Sequence, residues 1–465
     1  MIRSMGRGGI ALALAVAGLV SSAQASSAST TPQWSVQELQ ISGTALNGRP
    51  IDFIGVGDSY LGLVLRDAQL WVVTSNNGRS WQVVQPAGLA GLDANSFTAY
   101  PGGLNNVAHV LFSDGEVVYL RAQSGYSYNA LGSTLLFASD ASGAQWRQVS
   151  LPAPGGRGAF PIAALKVAGR SYLAGAVYEP SSGQSYLDGA IWSSTEGASW
   201  SMVDSASFGG AGNQAIFALT AADGGLVAGG GDGSLIPVEG CCYFPDGIAL
   251  WRGSADGVWD HAAVSQPEYG PRDSSAVVGF LGHGRALEAV VSGNRRATSG
   301  DGGRAWKVPM TPPPKGTRAV YPPRADFMLK YDGRLIGITT PAGDCTDCTE
   351  GAIAISSTGG SWKNVTPTFP CGQRQSRPSY GFVSKPMAFD TSVAALGGCG
   401  QDLQPFDETL LAVTDDGGRQ WRIERLKRKT GTPLPAVAGH GKIVTLAYDQ
   451  SDGASGQVRA ITVRR

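Results

Sequence analysis

The sequence predicts an all-β protein, a single β-propeller built from four-stranded antiparallel blades. Three observations lead to this prediction. A short turn motif recurs along the chain, apolar runs of β-forming residues flank each copy, and a second apolar hairpin with a Gly-containing turn precedes most copies. Self-similarity at a period of roughly 50 residues is typical of propellers and solenoids. Two hairpins per repeat supply the four strands of one propeller blade.

The turn motif, which we call the box, follows the pattern Ser/Thr-x-Asp-x-Gly-x-x-Trp. Glycine gives the turn its backbone freedom, the acid can accept bonds from turn amides, and tryptophan can pack across the sheet. We therefore interpret the box as structural and not catalytic. The two complete copies consist of Ser299, Asp301, Gly303 and Trp306, and of Thr414, Asp416, Gly418 and Trp421.

Five further stretches match the box less well, and together with the complete copies they set the number of blades. Residues 74–81 carry Asn76 in place of the acid, residues 193–200 carry Thr195, residues 139–146 have Asp140 one place early, residues 356–362 are one residue short, and the stretch around Trp259 is the most degraded. We predict eight blades. Seven is the alternative if the stretch around Trp259 does not form a blade.

The two ends of the chain predict how the ring closes. The residues around Trp34 resemble the strand that follows a box, whereas the last strand-like runs, residues 443–448 and 458–463, have no box tryptophan after them. We expect the N-terminal strand to complete the last blade, because a closed β-architecture leaves no open seam.

The first residues have the pattern of a secretory signal peptide. Arg3 and Arg7 precede an apolar run, Gly8 to Val20, and residues 23–25 read Ala-Gln-Ala. An apolar run of this length is too short to span a bilayer. We expect residues 1–25 to be a signal peptide and residues 26–465 to form the propeller, exported to a periplasm or to the cell exterior without membrane insertion.

The charge balance limits the classes of partner, and the cysteine content indicates the redox compartment. The chain carries 36 basic and 36 acidic residues, and this balance argues against a general nucleic-acid binder, which needs a positive excess. Six cysteines in an exported chain favour disulfides over a metal site. We predict the pairs Cys371–Cys399 and Cys345–Cys348, with Cys241–Cys242 as a third candidate, and no metal or cofactor.

The boxes resemble the Asp-box, or BNR, repeats of bacterial neuraminidases, sortilin-type receptors, some xyloglucan-active glycosidases and the photosystem II assembly propeller. The resemblance covers most of the chain but depends on a short turn motif. It implies that the box lies on the face opposite the usual binding site. Because this superfamily includes enzymes and receptors, the resemblance predicts the fold and leaves the activity open.

A binding site is therefore expected on the face that carries the long connections between blades. Three of these connections combine arginine with tyrosine, and Arg49 occupies the matching place in the first blade. Arginines that converge from neighbouring blades can grip a carboxylate or sulfate through paired hydrogen bonds. The candidate binding residues are Arg49, Arg272, Arg324, Arg377, Tyr269, Tyr321 and Tyr380.

Neuraminidases offer a specific comparison for this candidate site. They use an arginine triad and an Arg-Ile-Pro motif ahead of the first box, and Arg49-Pro50-Ile51 has that position but a different order. Asp67, and Glu268 with Tyr269, are the corresponding acid and nucleophile candidates. No acid, base or nucleophile constellation stands out elsewhere, so we name no catalytic residue.

Three functions remain open at this point. The preferred one is a monomeric exported propeller that binds a protein, peptide or glycan on its loop-bearing face without catalysis. The second is a glycoside hydrolase of sialidase-like type with an arginine-lined central pocket. The third is an assembly factor that docks on a membrane complex.

Overall fold

Strands dominate the computed structural model, and its description covers most of the chain after Thr31. The described residues are 32–97, 110–124, 133–178, 187–203, 206–209, 213–233, 247–254, 257–265, 276–291, 295–308, 317–318, 328–341, 352–356, 363–365, 378–382, 386–389, 392–401, 408–426, 431–434, 436–439, 441–448 and 456–464. Within these ranges the only helical elements are short 3-10 turns at Ala94–Phe97, Pro154–Gly156 and Ala206–Phe208. None of the described helices is long and apolar enough to cross a membrane.

The strands of the first half of the chain are short to medium in length. They are β1 (Gln33–Glu38), β2 (Gln40–Ile41), β3 (Thr44–Ala45), β4 (Asn47–Val56), β5 (Ser59–Arg66), β6 (Gln69–Ser75), β7 (Gln82–Val84), β8 (Leu111–Ser113), β9 (Val118–Ser124), β10 (Ser133–Ser139), β11 (Arg147–Val149), β12 (Gly158–Val167), β13 (Arg170–Tyr178), β14 (Leu187–Ser194), β15 (Ser201–Met202), β16 (Asn213–Ala222), β17 (Gly225–Gly233), β18 (Gly247–Ser254) and β19 (Trp259–His261).

The strands of the second half continue the same succession. They are β20 (Ala263–Ser265), β21 (Val277–Phe280), β22 (Leu287–Val291), β23 (Arg295–Ser299), β24 (Ala305–Lys307), β25 (Thr317–Arg318), β26 (Met328–Tyr331), β27 (Arg334–Pro341), β28 (Ala352–Ser356), β29 (Lys363–Asn364), β30 (Pro378–Phe382), β31 (Met387–Phe389), β32 (Ser392–Gln401), β33 (Glu408–Thr414), β34 (Arg422–Arg425), β35 (Thr432–Pro433), β36 (Val437–Gly439), β37 (Lys442–Tyr448) and β38 (Gly456–Arg464).

Consecutive strands pair antiparallel into sheets that repeat along the chain. We call the groups blades 1 to 8: β4–β7, β8–β11, β12–β15, β16–β19, β21–β24, β25–β29, β30–β34, and β35–β38 with β1. The inner strands of successive blades contact one another, as β4, β8, β12, β16 and β21 do. The protein is thus a β-propeller of four-stranded antiparallel blades, as the sequence predicts.

Two details bear on blade number and closure. The stretch around Trp259, which decided between eight and seven blades, begins the outer strand of a complete four-stranded sheet among the described residues. The N-terminal β1 pairs along its length with β38, from Gln33 opposite Arg464 to Glu38 opposite Arg459. This is the pairing that closure predicts. The number of blades and the closure of the complete ring remain predictions.

The inner strand of most blades is interrupted where it pairs with the second strand. One extra residue sits between Pro50 and Asp52 in blade 1, and the same shift occurs between Pro161 and Ala163 in blade 3. Blades 4 and 5 repeat it. In blades 6 to 8 the inner strand is split into two pieces that pair with one second strand. Such bulges turn an extra side chain toward the inner edge of the sheet.

Bulge residues contribute to an apolar cluster shared by neighbouring blades. Ile162, Phe217 and Val278 are each less than a tenth exposed and pack with Phe160 of blade 3 and Leu335 of blade 6. Burial of such side chains contributes about 1.5–3 kcal/mol each. The cluster therefore holds the inner edges of blades 3 to 6 together.

Candidate functional site

The antiparallel order gives each blade two ends with different connections. At one end lie the turns from first to second and from third to fourth strand, which include the boxes, and we call it the turn face. At the other end, the loop face, lie the connections from second to third strand and from blade to blade. Gly169 and Gly224, at the predicted hairpin turns, have φ of 77° and 72°, a conformation that favours glycine.

Arg49 is the one predicted arginine whose side chain the structure describes. It lies in β4 at the loop face, opposite Leu65 of β5, and its side chain is exposed. Within the described part of the chain no ion pair or hydrogen bond engages its guanidinium. Arg272, Arg324, Arg377, Tyr269 and Tyr321 lie outside the described residues, so their convergence with Arg49 remains a prediction.

The strand bounds fix two chain positions near the site. The segment Tyr321 to Arg324 does not precede the inner strand of blade 6, because β25 comes before it and β26 after it. Cys399 lies within β32, opposite Tyr380 of β30, and not in a loop. Both β25 and β26 pair with β27, the second strand of this blade. Cys241, Cys242, Cys345, Cys348 and Cys371 lie outside the described residues, and the disulfides stay predicted.

Asp67 does not fit the role of a catalytic acid. Blade 1 joins its second and third strands by a two-residue turn, Asp67-Ala68, with φ of 51° and 59°. The Asp67 carboxylate is 3.3 Å from Arg66, and its side chain is 86% exposed. The tight turn therefore presents this carboxylate to solvent and to the Arg66 side chain.

Buried polar side chains line the loop-face ends of blades 1 to 4, a feature that sequence reasoning missed. Asp52 of β4 accepts the amide of Leu111 in blade 2 at 2.9 Å. Asn213 of β16 accepts the amide of Leu187 in blade 3 at 2.7 Å. Each bond joins two blades and satisfies a buried backbone donor, which would otherwise cost free energy.

The interface of blades 2 and 3 continues this polar lining. The Tyr178 hydroxyl, buried in β13, accepts the amide of Thr134 at 3.1 Å and lies 3.0 Å from the Thr134 hydroxyl. Burial raises the pKa of Tyr178, although the bonds from Thr134 oppose this shift. Gln123 of β9 lies directly opposite Thr134 of β10 and is 2% exposed. Its carboxamide has no hydrogen-bond partner in the described structure.

A buried cation lies deeper in the same interface. Arg121 of β9 is fully buried, and its guanidinium carbon sits 4.2 Å from the ring centroid of Phe160 in blade 3. It also donates a hydrogen bond to the carbonyl of Pro161. Stacking of a guanidinium on an aromatic face is favourable in a desolvated site. Arg121 therefore joins blades 2 and 3 and is not exposed to solvent.

The loop-face carboxylates of blades 3 and 4 are also engaged by neighbours. Asp188 forms an ion pair with Arg157, which also donates to the carbonyl of Val177 at 3.2 Å. Asp232 accepts a hydrogen bond from the Gln214 amide at 2.9 Å. These acids stabilise strand ends. In the described structure, Asp188 and Asp232 are not arranged as a general acid and a general base on either side of one pocket.

The complete box at Ser299 forms the predicted hydrogen-bonded turn. Asp301 Oδ1 accepts the amides of Arg304 and Ala305 at 3.0 and 3.1 Å and the Ser299 hydroxyl at 2.7 Å. The Ser299 hydroxyl accepts the Gly303 amide at 2.9 Å. The hydroxyl of Ser299, followed by these amides, holds the pKa of Asp301 below its ordinary value. The acid serves the turn, as predicted.

The box at Thr414 has the same geometry. Asp416 Oδ1 accepts the amides of Arg419 and Gln420 at 2.9 and 3.0 Å, and Thr414 Oγ1 accepts the Gly418 amide at 2.8 Å. Burial acts to raise the pKa of Asp416, but the bonds from Gln420, Thr414 and Arg419 outweigh it and lower the pKa.

In both boxes the tryptophan closes the turn. The indole of Trp306 donates to the Gly303 carbonyl at 3.0 Å, and the indole of Trp421 donates to the Gly418 carbonyl at 3.2 Å. Each box therefore fixes its glycine from two sides, through the amide and through the carbonyl.

Two incomplete boxes use residues one place later than the sequence alignment predicts. In blade 1 the hydroxyl is that of Ser75, which accepts the Gly78 amide at 2.8 Å, and the acceptor is Asn77, which binds the amides of Arg79 and Ser80. Asn76 is not the acid equivalent. In blade 3, Ser194 takes this role and accepts the Gly197 amide at 2.8 Å.

The cause of this correction is burial. Ser75 and Ser194 are inward-facing ends of their strands, 4% and 3% exposed. Thr74 and Ser193, which the alignment chose, point to the other side of the strand because successive side chains alternate. These boxes are therefore one residue shorter than the complete ones.

A cation from the preceding blade binds several boxes, and no sequence signal indicated this. Arg252 of blade 4 donates to the Gly302 carbonyl of blade 5 at 3.0 Å. Arg147 of blade 2 donates to the Gly197 carbonyl of blade 3. Lys442 of blade 8 donates to the Asn77 carbonyl of blade 1 at 3.0 Å. These three cations of the turn face are thus bound to the protein's own backbone.

We expect Asp301→Ala to destabilise the protein by about 1 kcal/mol at pH 7, because two turn amides lose their acceptor. The pKa of Asp301 is lowered in the folded state, so this stability is present above the ordinary pKa of aspartate and is lost as pH falls through the lowered one. Urea unfolding between pH 7 and pH 3 measures the effect. The control is Asp260→Ala, an exposed aspartate in β19. Equal losses for both variants would contradict the assigned role.

Comparison with known proteins adds the following. No protein-family model matches the chain, and no curated protein matches it. Among solved structures it is similar to "YCF48 bound to D1 peptide" (12% identity, 93% of this chain and 95% of that chain, TM-score 0.41). It is also similar to the polysaccharide lyase Uly1, with 10% identity over 90% of this chain and 90% of that chain and a TM-score of 0.43. A third similar structure is the phage phi92 endosialidase, with 11% identity over 80% of this chain and 68% of that chain and a TM-score of 0.37. At these TM-scores and identities the likeness supports no statement about activity or ligand.

Proposed function

We propose that the protein is an exported, monomeric propeller that binds a protein, peptide or glycan ligand on its loop face, without catalysis. The observation that carries this proposal is the contrast between the two faces. Turn-face cations such as Arg252 and Lys442 donate to box carbonyls. Arg49 on the loop face is exposed, and its guanidinium has no hydrogen bond or ion pair to a described residue. An exposed guanidinium at an inner strand is available for a carboxylate or carbonyl oxygen of a ligand.

The polar lining supports the same proposal. Carboxamides such as Gln123 donate and accept hydrogen bonds but supply neither a general acid nor a nucleophile. The described loop-face acids, Asp52, Asp188 and Asp232, accept bonds from their own blades or the next. These acids bind the protein's own groups, which supports binding over catalysis, and the glycosidase and the assembly factor remain outcomes of the test.

Binding to defined peptide and glycan arrays tests the proposal. We expect saturable binding that Arg49→Ala weakens at least tenfold, about 1.4 kcal/mol or more, and no turnover of a fluorogenic glycoside panel. The matched control is Arg79→Ala, an exposed arginine on the turn face, which should bind as the native protein does. Equal binding by both variants would refute the loop-face site. Turnover that Arg49→Ala abolishes would establish the glycosidase instead, and a stable complex with a membrane assembly would support the assembly factor.

A further inference from the structure

The N-terminal segment contacts three blades, although only its first strand, β1, belongs to a blade. β1 pairs with β38 over six residues. Trp34 packs beside Leu411 and Val413 of blade 7, in the place that a box tryptophan takes elsewhere. Residues that follow β1 then enter the interface of blades 8 and 1. The first and last strands of the described chain therefore meet at this segment.

Two buried leucines anchor the chain where it continues from β1 to β4. Leu39 and Leu46 are 1% and 0% exposed and pack with Phe53 and Tyr60 of blade 1 and Leu446 of blade 8. The Leu39 amide donates to the Val458 carbonyl at 3.1 Å, and the Val458 amide donates to the Leu46 carbonyl at 2.8 Å. Both edges of β38 are thus occupied near its start, since β37 pairs along its other side.

The hairpin that connects these two buried leucines is exposed at its tip. The hairpin of β2 and β3 turns at Ser42 and Gly43, which are exposed and have φ of 49° and 81°. A Cβ added at Gly43 would meet no atom within 4 Å. The strand is therefore held by pairing and by buried side chains, whereas the tip of the turn at Ser42 and Gly43 is exposed.

We propose that the edge of β38 is an acceptor site for one extended peptide, and that residues 33–42 of this chain, which we call the latch, are an exchangeable occupant of it. The site takes a strand with apolar side chains at alternate positions, Trp34 and Val36, followed by a leucine at the position of Leu39. Main-chain hydrogen bonds to β38 supply affinity and the side-chain positions supply selectivity, as in strand addition to a sheet edge.

This site has a consequence for folding. β38 is the last strand of the described chain and β1 is the first, so pairing of the latch requires the two ends of the described chain to meet. Contacts between residues this far apart in sequence form slowly, because the intervening chain must close first. We therefore expect closure of blade 8 by the latch to be a late step of folding.

A nicked full-length protein tests the proposal. A protease recognition sequence is inserted between Ser42 and Gly43, the folded protein is cut, and a fluorescent peptide of residues 32–42 is added in excess. We expect the cut protein to retain its own fragment on size exclusion and then to exchange it for one labelled peptide per chain. The uncut insertion variant is the control for the insertion itself and should unfold at the temperature of the native protein.

Selectivity is measured with a second peptide. The same peptide with Leu39→Asp should bind at least about 100-fold more weakly, because a carboxylate would replace a buried leucine. Equal uptake of the two peptides would overturn the proposal, and so would loss of the fragment on cutting with no change in unfolding temperature. Failure of the labelled peptide to enter after the fragment has been removed by mild denaturant would overturn it as well.

Discussion

Trp306→Ala is expected to lower the free energy of unfolding by about 3–5 kcal/mol, the usual cost of removing a large buried aromatic side chain. Trp306 is 1% exposed and packs with Val227 and Ile248 of blade 4 and Leu287 of its own blade. Its ring lies 6.1 Å from that of Phe280. The substitution also removes the indole bond to the Gly303 carbonyl.

The matched control for this variant is Trp81→Ala. Trp81 holds the same position in blade 1 but is half-buried, beside the rings of Phe53 and Tyr60 at 6.3 and 6.5 Å. We expect it to cost clearly less than Trp306→Ala. Urea unfolding followed by circular dichroism measures both. Equal losses would mean that the box tryptophans act through the turn and not through packing between blades.

Gly88→Ala is expected to destabilise the protein by roughly 3 kcal/mol or more, from steric overlap and from a positive φ. Gly88 has φ of 87°, and a Cβ there would lie 2.0 Å from the Trp146 carbonyl oxygen. Its neighbour Ala87 bridges the blade 2 box in parallel, accepting the Trp146 amide at 2.9 Å. The backbone of this connection must therefore approach the box closely.

Gly91→Ala isolates the steric part of that effect. Gly91 has φ of 88°, nearly the same as Gly88, but a Cβ there would meet no atom within 4 Å. We expect a loss of about 1 kcal/mol, from the backbone conformation alone. Thermal unfolding of the two variants side by side gives the comparison. If Gly88→Ala is no worse than Gly91→Ala, the close approach to blade 2 does not contribute to stability.

The box shows where sequence reasoning succeeds and where it fails. The turn at Asp301 could be predicted because its hydrogen bonds join residues within five positions. The incomplete box of blade 1 could not be aligned correctly, because Thr74 and Ser75 are equivalent as a pattern. Burial of Ser75 decides between them, and burial depends on the neighbouring blade.

The candidate site was less predictable than the fold. Arg49 could be placed at the start of an inner strand from the repeat alone. The buried lining of Asp52, Gln123 and Asn213 could not, because each residue acts across an interface with a blade distant in sequence. Loop-face residues also have no period, so no repeat pattern constrains them.

The sequence by itself determined that the chain forms repeated four-stranded sheets, because turn chemistry and the alternation of apolar side chains are local properties. It also indicated that Trp34 belongs to the last blade. Only the tertiary structure decided which hydroxyl completes each short box, where the inner strands bulge, and how Arg252 and Lys442 bind the boxes of the next blade. These features depend on contacts between blades, and such contacts exist only when distant parts of the chain have packed together.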